Sequence, residues 1–281
     1  MKREKYNKKR KGLGMILTEG IMLAISLIIL TPILYQVIAS FKNKADVNRP
    51  LSFPTYLFFG SYNEAIADGR FFTLLVNSMT VAILSIVLIV AFGSLASYSI
   101  VRSRRKGYKY LYYYFLSGIM IPFMAGMIPL YKMIKGLGLI DNTLSLVFIS
   151  LGTCMPMAVL IFTGFIKTVP IQLEESALID GCGIVRTFFN IVLPLLKPAV
   201  ISVIIINIIP IWNDFLTPLL FLNSDSHKTL PLGMYNFMTE RTINLGPIFG
   251  FSVLTCILPI ALFLSLQKYF YKGIVAGAVK G

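Results

Sequence analysis

The chain has 281 residues, of which 56% are hydrophobic and only 14% are charged, and its mean hydropathy is +0.77. A soluble globular domain carries about 25% charged residues, so this composition excludes an ordinary soluble protein. The formal net charge of +14 could indicate a nucleic-acid partner. However, the basic residues are concentrated beside the apolar runs, where anionic lipid headgroups are a sufficient partner. We therefore expect a membrane protein that binds lipid and no nucleic acid.

Six apolar stretches are each long enough to cross a membrane as a helix, which takes about 20 residues. Lipid requires that backbone hydrogen bonds be satisfied internally, and these runs are too long for barrel strands, so helices are expected. The predicted spans are 16–40, 72–101, 108–131, 142–166, 198–222 and 246–270. The sequence thus predicts an all-α integral membrane protein with six transmembrane helices.

The predicted organisation is a basic tail over 1–15, a six-span domain over 16–270 and a short tail over 271–281. The first apolar run is too long for the core of a cleaved signal peptide, so we expect it to remain as a span. Lys and Arg are concentrated before the first span, after the second, within 167–197 and after the sixth. The positive-inside rule therefore predicts that both termini are cytoplasmic.

The chain lacks the motifs of a nucleotide-hydrolysing or metal-dependent enzyme. No Gly-Lys pair occurs, which excludes a P-loop, and neither HExxH nor GxSxG is present. His227 stands alone, and the three cysteines have no ligand spacing, so we expect no metal and no catalytic residue. The spans also hold almost no ionisable groups for proton coupling. A transporter built from this chain would therefore take its energy from another subunit.

The most polar connection, 167–197, is expected to form two short helices joined by a glycine corner. Glu174 and Glu175 lie near the positive end of the first helix, and Gly181 and Gly183 permit the left-handed turn that ends it. Two acids in a first turn disfavour an anionic lipid surface. We therefore interpret this pair of helices as a contact site for a protein partner.

This connection resembles the signature loop of binding-protein-dependent ABC importer permeases: Glu-Ala-Ala, three residues, Gly, nine residues, then Ile-x-Leu-Pro. The matching residues are Glu175, Ala177, Gly181, Ile191, Leu193 and Pro194, and the one departure is Ser176, which stands in place of the first alanine. In that family the loop is a cytoplasmic coupling helix pair, which docks in a cleft of the ATPase subunit. The ATPase-coupling residues that the resemblance implies, with their neighbours, are Glu174, Glu175, Ser176, Ala177, Asp180 and Gly181.

Three further segments resemble the carbohydrate permeases of this family, and with the coupling loop they extend over most of the chain. They are Trp212 to Leu219, Met127 to Leu130 with Leu137 to Thr143, and Gln267 to Gly281. The resemblance is to the six-span partner of maltose-type sugar permeases. It implies a heterodimer with a second permease, an ATPase dimer that binds ATP and Mg, and an extracytoplasmic sugar-binding protein. It also implies the bacterial cytoplasmic (inner) membrane and no cofactor in this chain.

A few polar side chains within the spans are candidates for a substrate path, because sugar sites place a few polar groups within apolar walls. They are Asn77, Asn207, Trp212, Asn213 and Asp214. A buried aspartate is costly unless it is paired or hydrated. Asp214 therefore either lines the path or hydrogen-bonds the backbone near the outer interface. Asn77 and Asn207 have an alternative interpretation as hydrogen bonds between helices.

The predicted function is translocation of a sugar or oligosaccharide by alternating access, driven by a separate ATPase subunit. Two other classes of protein would require different patterns. A secondary transporter or channel would need ion-handling residues or broken-helix repeats within the membrane. A membrane-embedded enzyme would need clustered His, Asp or Glu near an interface. The sequence contains neither pattern.

Overall fold

The computed structural model describes the backbone of residues 2–43, 46–47, 49, 52–238 and 245–278. Side chains are described at residue 15 and over 17–43, 46–47, 49, 52–238 and 245–265. Helices make up the architecture of this part of the chain, which confirms the predicted all-α class. The first helix begins at Lys2 and the last continues to Ala278, so both predicted tails are largely helical.

The helices follow one another along the chain with short connections. In order they are α1 (Lys2–Ser40), α2 (Gly60–Ala67), α3 (Phe71–Arg102), α4 (Lys106–Met120), α5 (Met127–Gly136), α6 (Thr143–Ile166), α7 (Ile171–Ile179), α8 (Ile184–Thr187), α9 (Leu193–Leu195), α10 (Lys197–Trp212), α11 (Leu216–Phe221), α12 (Leu230–Gly233) and α13 (Leu245–Ala278). Short 3₁₀ turns cover Phe123–Gly126 and Met234–Phe237, and a π-helical turn covers Phe188–Val192.

Four helical stretches are long and apolar enough to cross a membrane unbroken: Leu17–Ser40, Phe71–Arg102, Thr143–Ile166 and Leu245–Ser265. Two further candidates are bent pairs. Lys106–Met120 joins Phe123–Gly136 at 101°, and Ile184–Leu195 joins Lys197–Trp212 at 72°. The described residues therefore contain four to six candidate spans, and each bent pair must count as one span to reach the six that were predicted.

The third predicted span, 108–131, is not one continuous helix. α4 ends at Met120, and both Ile121 (ψ 118°) and Pro122 (ψ 126°) are extended before a 3₁₀ turn leads into α5. Proline has no backbone N–H, and its ring disfavours the helical conformation of the residue before it. Pro122 therefore accounts for a break that an apolar run alone does not reveal.

The fifth predicted span, 198–222, is also divided. α10 ends at Trp212, and α11 begins only at Leu216. The Asp214 Oδ1 atom accepts a hydrogen bond from the Thr217 N–H at 3.1 Å, which satisfies one of the free N–H groups at the start of α11. Asp214, which lies between the two helices, thus stabilises the beginning of α11.

The chain forms two compact units, one of which contains Arg70–Gly233 and the residues from Thr255 onward. In this unit α3 and α6 pack closely through small residues. A Cβ atom added to Gly93 would lie 3.2 Å from the Ala158 Cβ atom, and the Ser97 Oγ atom donates to the Val159 carbonyl at 3.2 Å. Small residues allow such close approach of helices in lipid, where apolar burial does not drive association.

The other unit contains the residues up to Gly69 and Met234–Leu254. Here α1 contacts the beginning of α13. The Gln36 Nε2 atom donates to the Ser252 Oγ atom at 2.6 Å, and the rings of Tyr35 and Phe249 pack edge to face at 5.7 Å between centroids. Polar contacts between helices are one of the ways in which membrane helices associate.

Candidate functional site

The coupling segment, residues 167–197, ends its first helix with a Schellman turn. Gly181 has φ +84°, its N–H donates to the Leu178 carbonyl at 3.1 Å, and the Cys182 N–H donates to the Ala177 carbonyl at 2.9 Å. These bonds are the pattern by which a left-handed glycine closes a helix. The left-handed turn predicted from the glycines lies at Gly181 alone, because Gly183 has φ −71°.

The two adjacent glutamates of α7 point in different directions, since consecutive helical residues are about 100° apart around the axis. Glu174 is buried, at 5% exposure, whereas Glu175 and Ser176 are exposed. Ala177 is also buried, and Asp180 is exposed at the C-cap. The predicted coupling residues therefore divide into an inward set, Glu174 and Ala177, and an outward set, Glu175, Ser176 and Asp180.

The Glu174 carboxylate is held by two side chains of α3. The Arg102 Nε atom donates to Oε1 at 2.7 Å, the Arg102 Nη2 atom lies 2.6 Å from the same oxygen, and the Tyr98 hydroxyl donates to Oε2 at 2.8 Å. Buried carboxylates are stable only when they are paired and hydrogen-bonded in this way. The Glu174 side chain thus points into the protein, and the exposed surface of α7 is formed by other residues, among them Glu175 and Ser176.

Arg102 also contacts the end of α6 and the residues that follow it. Its Nη2 atom donates to the Val169 carbonyl at 2.9 Å and to the Ile166 carbonyl at 3.3 Å. The last carbonyls of a helix have no partner within the helix, and a basic side chain satisfies them well. Neither Tyr98 nor Arg102 was predicted, because their partner lies more than 70 residues along the chain.

The outward surface of the coupling segment is apolar as well as acidic. Ile179 is 86% exposed and Val185 is 71% exposed, on either side of the Gly181 turn. Leu178 and Ile184 are also exposed. An apolar patch with charged neighbours is typical of a surface that another protein covers.

The candidate substrate-path residues do not form one cluster. Trp212 and Asp214 line a common cavity of about 10 Å³ with Ser78, which leaves room for roughly one water molecule and none for a sugar. The buried Trp212 Nε1 atom has no hydrogen-bond partner within the described residues. In this conformation the cavity suits a bridging water.

The three asparagines are placed separately. Asn77, half-buried on α3, donates from Nδ2 to the Ser226 carbonyl at 2.7 Å and to the Lys228 carbonyl at 2.9 Å. Asn207 is buried and donates to the Val203 carbonyl of its own helix at 2.8 Å. Asn213 is exposed at the C-cap of α10.

A helical protein with four to six candidate membrane spans, and two short helices with exposed apolar and acidic residues after α6, is the class that this geometry defines. The chain belongs to the family described as the binding-protein-dependent transport system inner membrane component, whose model matches residues 89–276. Family membership confirms the predicted transport subunit rather than an enzyme, and it places the chain among multi-pass membrane proteins.

Relatives are similar over nearly the whole chain. One is the melibiose/raffinose/stachyose import permease protein MelC of Bacillus subtilis, at 35% identity over 86% of this chain and 88% of MelC. Another is the multiple sugar-binding transport system permease protein MsmG of Streptococcus mutans, at 36% identity over 90% of this chain and 93% of MsmG. The predicted resemblance to carbohydrate permeases is therefore confirmed.

A solved structure has the same fold. It is a chain of a bacterial ABC transporter involved in the import of the acidic polysaccharide alginate, with a TM-score of 0.80 and 21% identity. The match covers 90% of this chain and 95% of that chain. At this identity the match establishes the fold alone.

Proposed function

We propose that this chain is the permease subunit of an ABC importer that translocates a sugar or oligosaccharide across the bacterial cytoplasmic membrane. The observation that carries the proposal is similarity over at least 86% of this chain to relatives whose names specify sugars, including melibiose, raffinose and stachyose. The substrate passes by alternating access. The energy comes from a separate ATPase dimer, which binds ATP and Mg, so the chain itself needs no cofactor.

The proposed assembly contains a second permease, the ATPase dimer and an extracytoplasmic sugar-binding protein. The unequal distribution of basic residues supports cytoplasmic termini and a cytoplasmic coupling segment. The exposed apolar residues around Gly181 support a protein neighbour at that segment. The six-span organisation over 16–270, with 167–197 as its coupling loop, belongs to the same proposal.

The proposed contact with the ATPase is made by the outward set of α7. Glu175 is exposed beside Ser176, and both lie on a helix whose end is fixed by the Gly181 turn. A carboxylate in this position accepts charge-assisted hydrogen bonds from a basic partner. Asp180 extends the acidic surface at the C-cap.

The proposed path of the sugar through the spans is a separate part of the proposal. It passes Asn77, Asn207, Trp212, Asn213 and Asp214.

The experiment that tests the proposal measures ATP hydrolysis by the full complex in lipid, with its binding protein, across a panel of sugars. The panel contains melibiose, raffinose, stachyose and starch-derived oligosaccharides. We expect one sugar to stimulate hydrolysis, and we expect Glu175→Gln to reduce that stimulation by roughly tenfold, a normal size for coupling between sites. Glu19→Gln, an exposed glutamate of α1 on the same predicted side of the membrane, is the matched control and should leave it unchanged.

The outcomes separate two parts of the proposal. If no sugar in a broad panel stimulates hydrolysis, the carbohydrate assignment is wrong. If a sugar stimulates the Glu175→Gln complex as strongly as the original complex, the exposed glutamate of α7 is not a coupling residue.

A further inference from the structure

Arg102 connects α3 to α6 and α7, two helices that follow one another later in the chain. Its guanidinium group contacts the Glu174 carboxylate of α7, the carbonyl of Ile166 at the end of α6 and the carbonyl of Val169 between α6 and α7. The residue itself is the last of α3. The backbone runs directly from α6 to α7, but α3 reaches α7 only through space.

A second contact of α3 lies beside the first. The Tyr98 hydroxyl donates to Glu174, and its ring lies 5.0 Å from the ring of Phe188, in the π-helical turn of the coupling segment. Phe188 is buried, at 2% exposure. The last turns of α3 therefore contact the coupling segment on both sides of its glycine corner.

In the pair of Arg102 with Glu174 the carboxylate is buried and the guanidinium group is part-buried, with side-chain exposures of 17% for Arg102 and 6% for Glu174. A buried ion pair adds little net stability compared with an apolar pair of the same size, because desolvation offsets the attraction. Its hydrogen bonds are directional, however, and they fix one geometry. The chemistry of the pair thus favours a role in positioning over a role in stability.

From this geometry we propose that Tyr98, Arg102 and Glu174 form a connection that makes α3, the end of α6 and the coupling helix α7 move as one body. The inference rests on the proposed function, because it concerns how motion of the ATPase reaches the spans. Glu175 faces outward one residue after Glu174. A displacement of Glu175 is therefore passed to Glu174 through one peptide unit, and from Glu174 to α3 through the ion pair with Arg102. All three residues are positioning residues.

The first test is the amount of sugar transported per ATP hydrolysed by the complex in proteoliposomes. The double variant Arg102→Met/Glu174→Met removes both charges and so avoids leaving one of them buried without a partner. We expect the partner ATPase still to hydrolyse ATP, while the transport ratio falls by roughly tenfold. Tyr98→Phe removes only one hydrogen bond and should reduce the ratio less. An unchanged ratio in the double variant would overturn the proposal.

The second test does not depend on the sugar. Spin labels replace the exposed Ser99 of α3 and Gln172 of α7 in the assembled complex, after Cys154, Cys182 and Cys256 have been changed to alanine. The distance distribution between the labels should be narrow with Tyr98, Arg102 and Glu174 in place and should broaden in the double variant. Equal widths would contradict a rigid connection, even in a complex for which no transported sugar has been found. A purely stabilising pair would lower the yield of complex and leave the widths equal.

Discussion

At the scale of single residues, Gly181 is the clearest case of a side chain excluded by backbone conformation. A Cβ atom there would meet nothing within 4 Å, so the constraint is its φ of +84° and not the available space. A residue other than glycine in the left-handed region costs roughly 1–2 kcal/mol. Gly181→Ala should lower the free energy of unfolding by about 1 kcal/mol, measured by thermal unfolding in detergent.

Gly183 is a matched control for that prediction, because a Cβ atom there is equally free of contacts but φ is −71°. Gly183→Ala should leave the melting temperature unchanged or raise it slightly, since alanine restricts the unfolded chain. Equal losses in the two variants would mean that left-handed strain does not determine the need for glycine in this turn.

Asp141 fixes the connection before α6 to the loop after α11. Its carboxylate accepts hydrogen bonds from the Ser224 hydroxyl, from the Ser224 N–H at 2.8 Å and from the Asn223 N–H at 2.9 Å. These bonds, the Ser224 hydroxyl first, hold the pKa of Asp141 well below its ordinary value of 3.8. The lowered pKa means that the ionised form is the one that stabilises the fold.

The sign of the pH dependence follows from this lowered pKa. The stabilisation is present in full at pH values above 3.8 and is lost as the pH falls from there towards the pKa of the folded state. The melting temperature of the chain should therefore fall on acidification below about pH 4. Asp141→Asn should be less stable at neutral pH and should lose less on acidification. Parallel pH profiles for the two proteins would refute the assignment.

At the scale of helices, the close packing of α3 on α6 sets the distance between two spans. Gly93 lies against Ala158, and Phe162 is only slightly farther away, at 3.4 Å from the added Cβ position. Gly93→Leu should therefore lower the free energy of unfolding by about 1–3 kcal/mol, the usual cost of overpacking. Thermal unfolding of the variant measures the effect.

Two variants test whether contact with α6 is the cause. Gly164→Leu places the same side chain on α6 at a position where an added Cβ meets nothing within 4 Å, and it should be tolerated. Gly93→Ala/Ala158→Gly moves the methyl group from one helix to the other and should be more stable than Gly93→Ala alone. If Gly164→Leu destabilises as much as Gly93→Leu, the α3–α6 contact is not responsible.

Two unbroken helices were predicted well, as was a hydrogen bond from the backbone to Asp214 at the break in the fifth span, whereas the bend in the third span was not. The predicted spans 72–101 and 142–166 differ by one residue at most from α3 and α6, because apolar runs end where charged and turn residues begin. The bend at Pro122 was missed, since an apolar run has the same hydropathy whether its helix is straight or bent. Backbone breaks depend on single residues, which averaging over a span conceals.

At the scale of the whole chain, the motif predicts which residues contact the ATPase but not the side chains that hold them in place. Glu175 and Gly181 belong to a local pattern that can be read from spacing. Arg102 stands at the end of an apolar run, where the positive-inside rule already accounts for a basic residue. Its contact with Glu174 spans 72 positions in the sequence. Only the folded chain brings those two residues together.

Helix α3 has a polar attachment near each end. Near its beginning, Asn77 holds the carbonyls of Ser226 and Lys228, and near its end Arg102 holds Glu174. Its 32 residues make a rod about 48 Å long, since a helix rises 1.5 Å per residue. A helix that is held by polar contacts at both ends can transmit a displacement in either direction. On the proposed connection, a ligand that binds the loop at one end of α3 should change the energy of α7 at the other end, and the reverse effect should be equal in size.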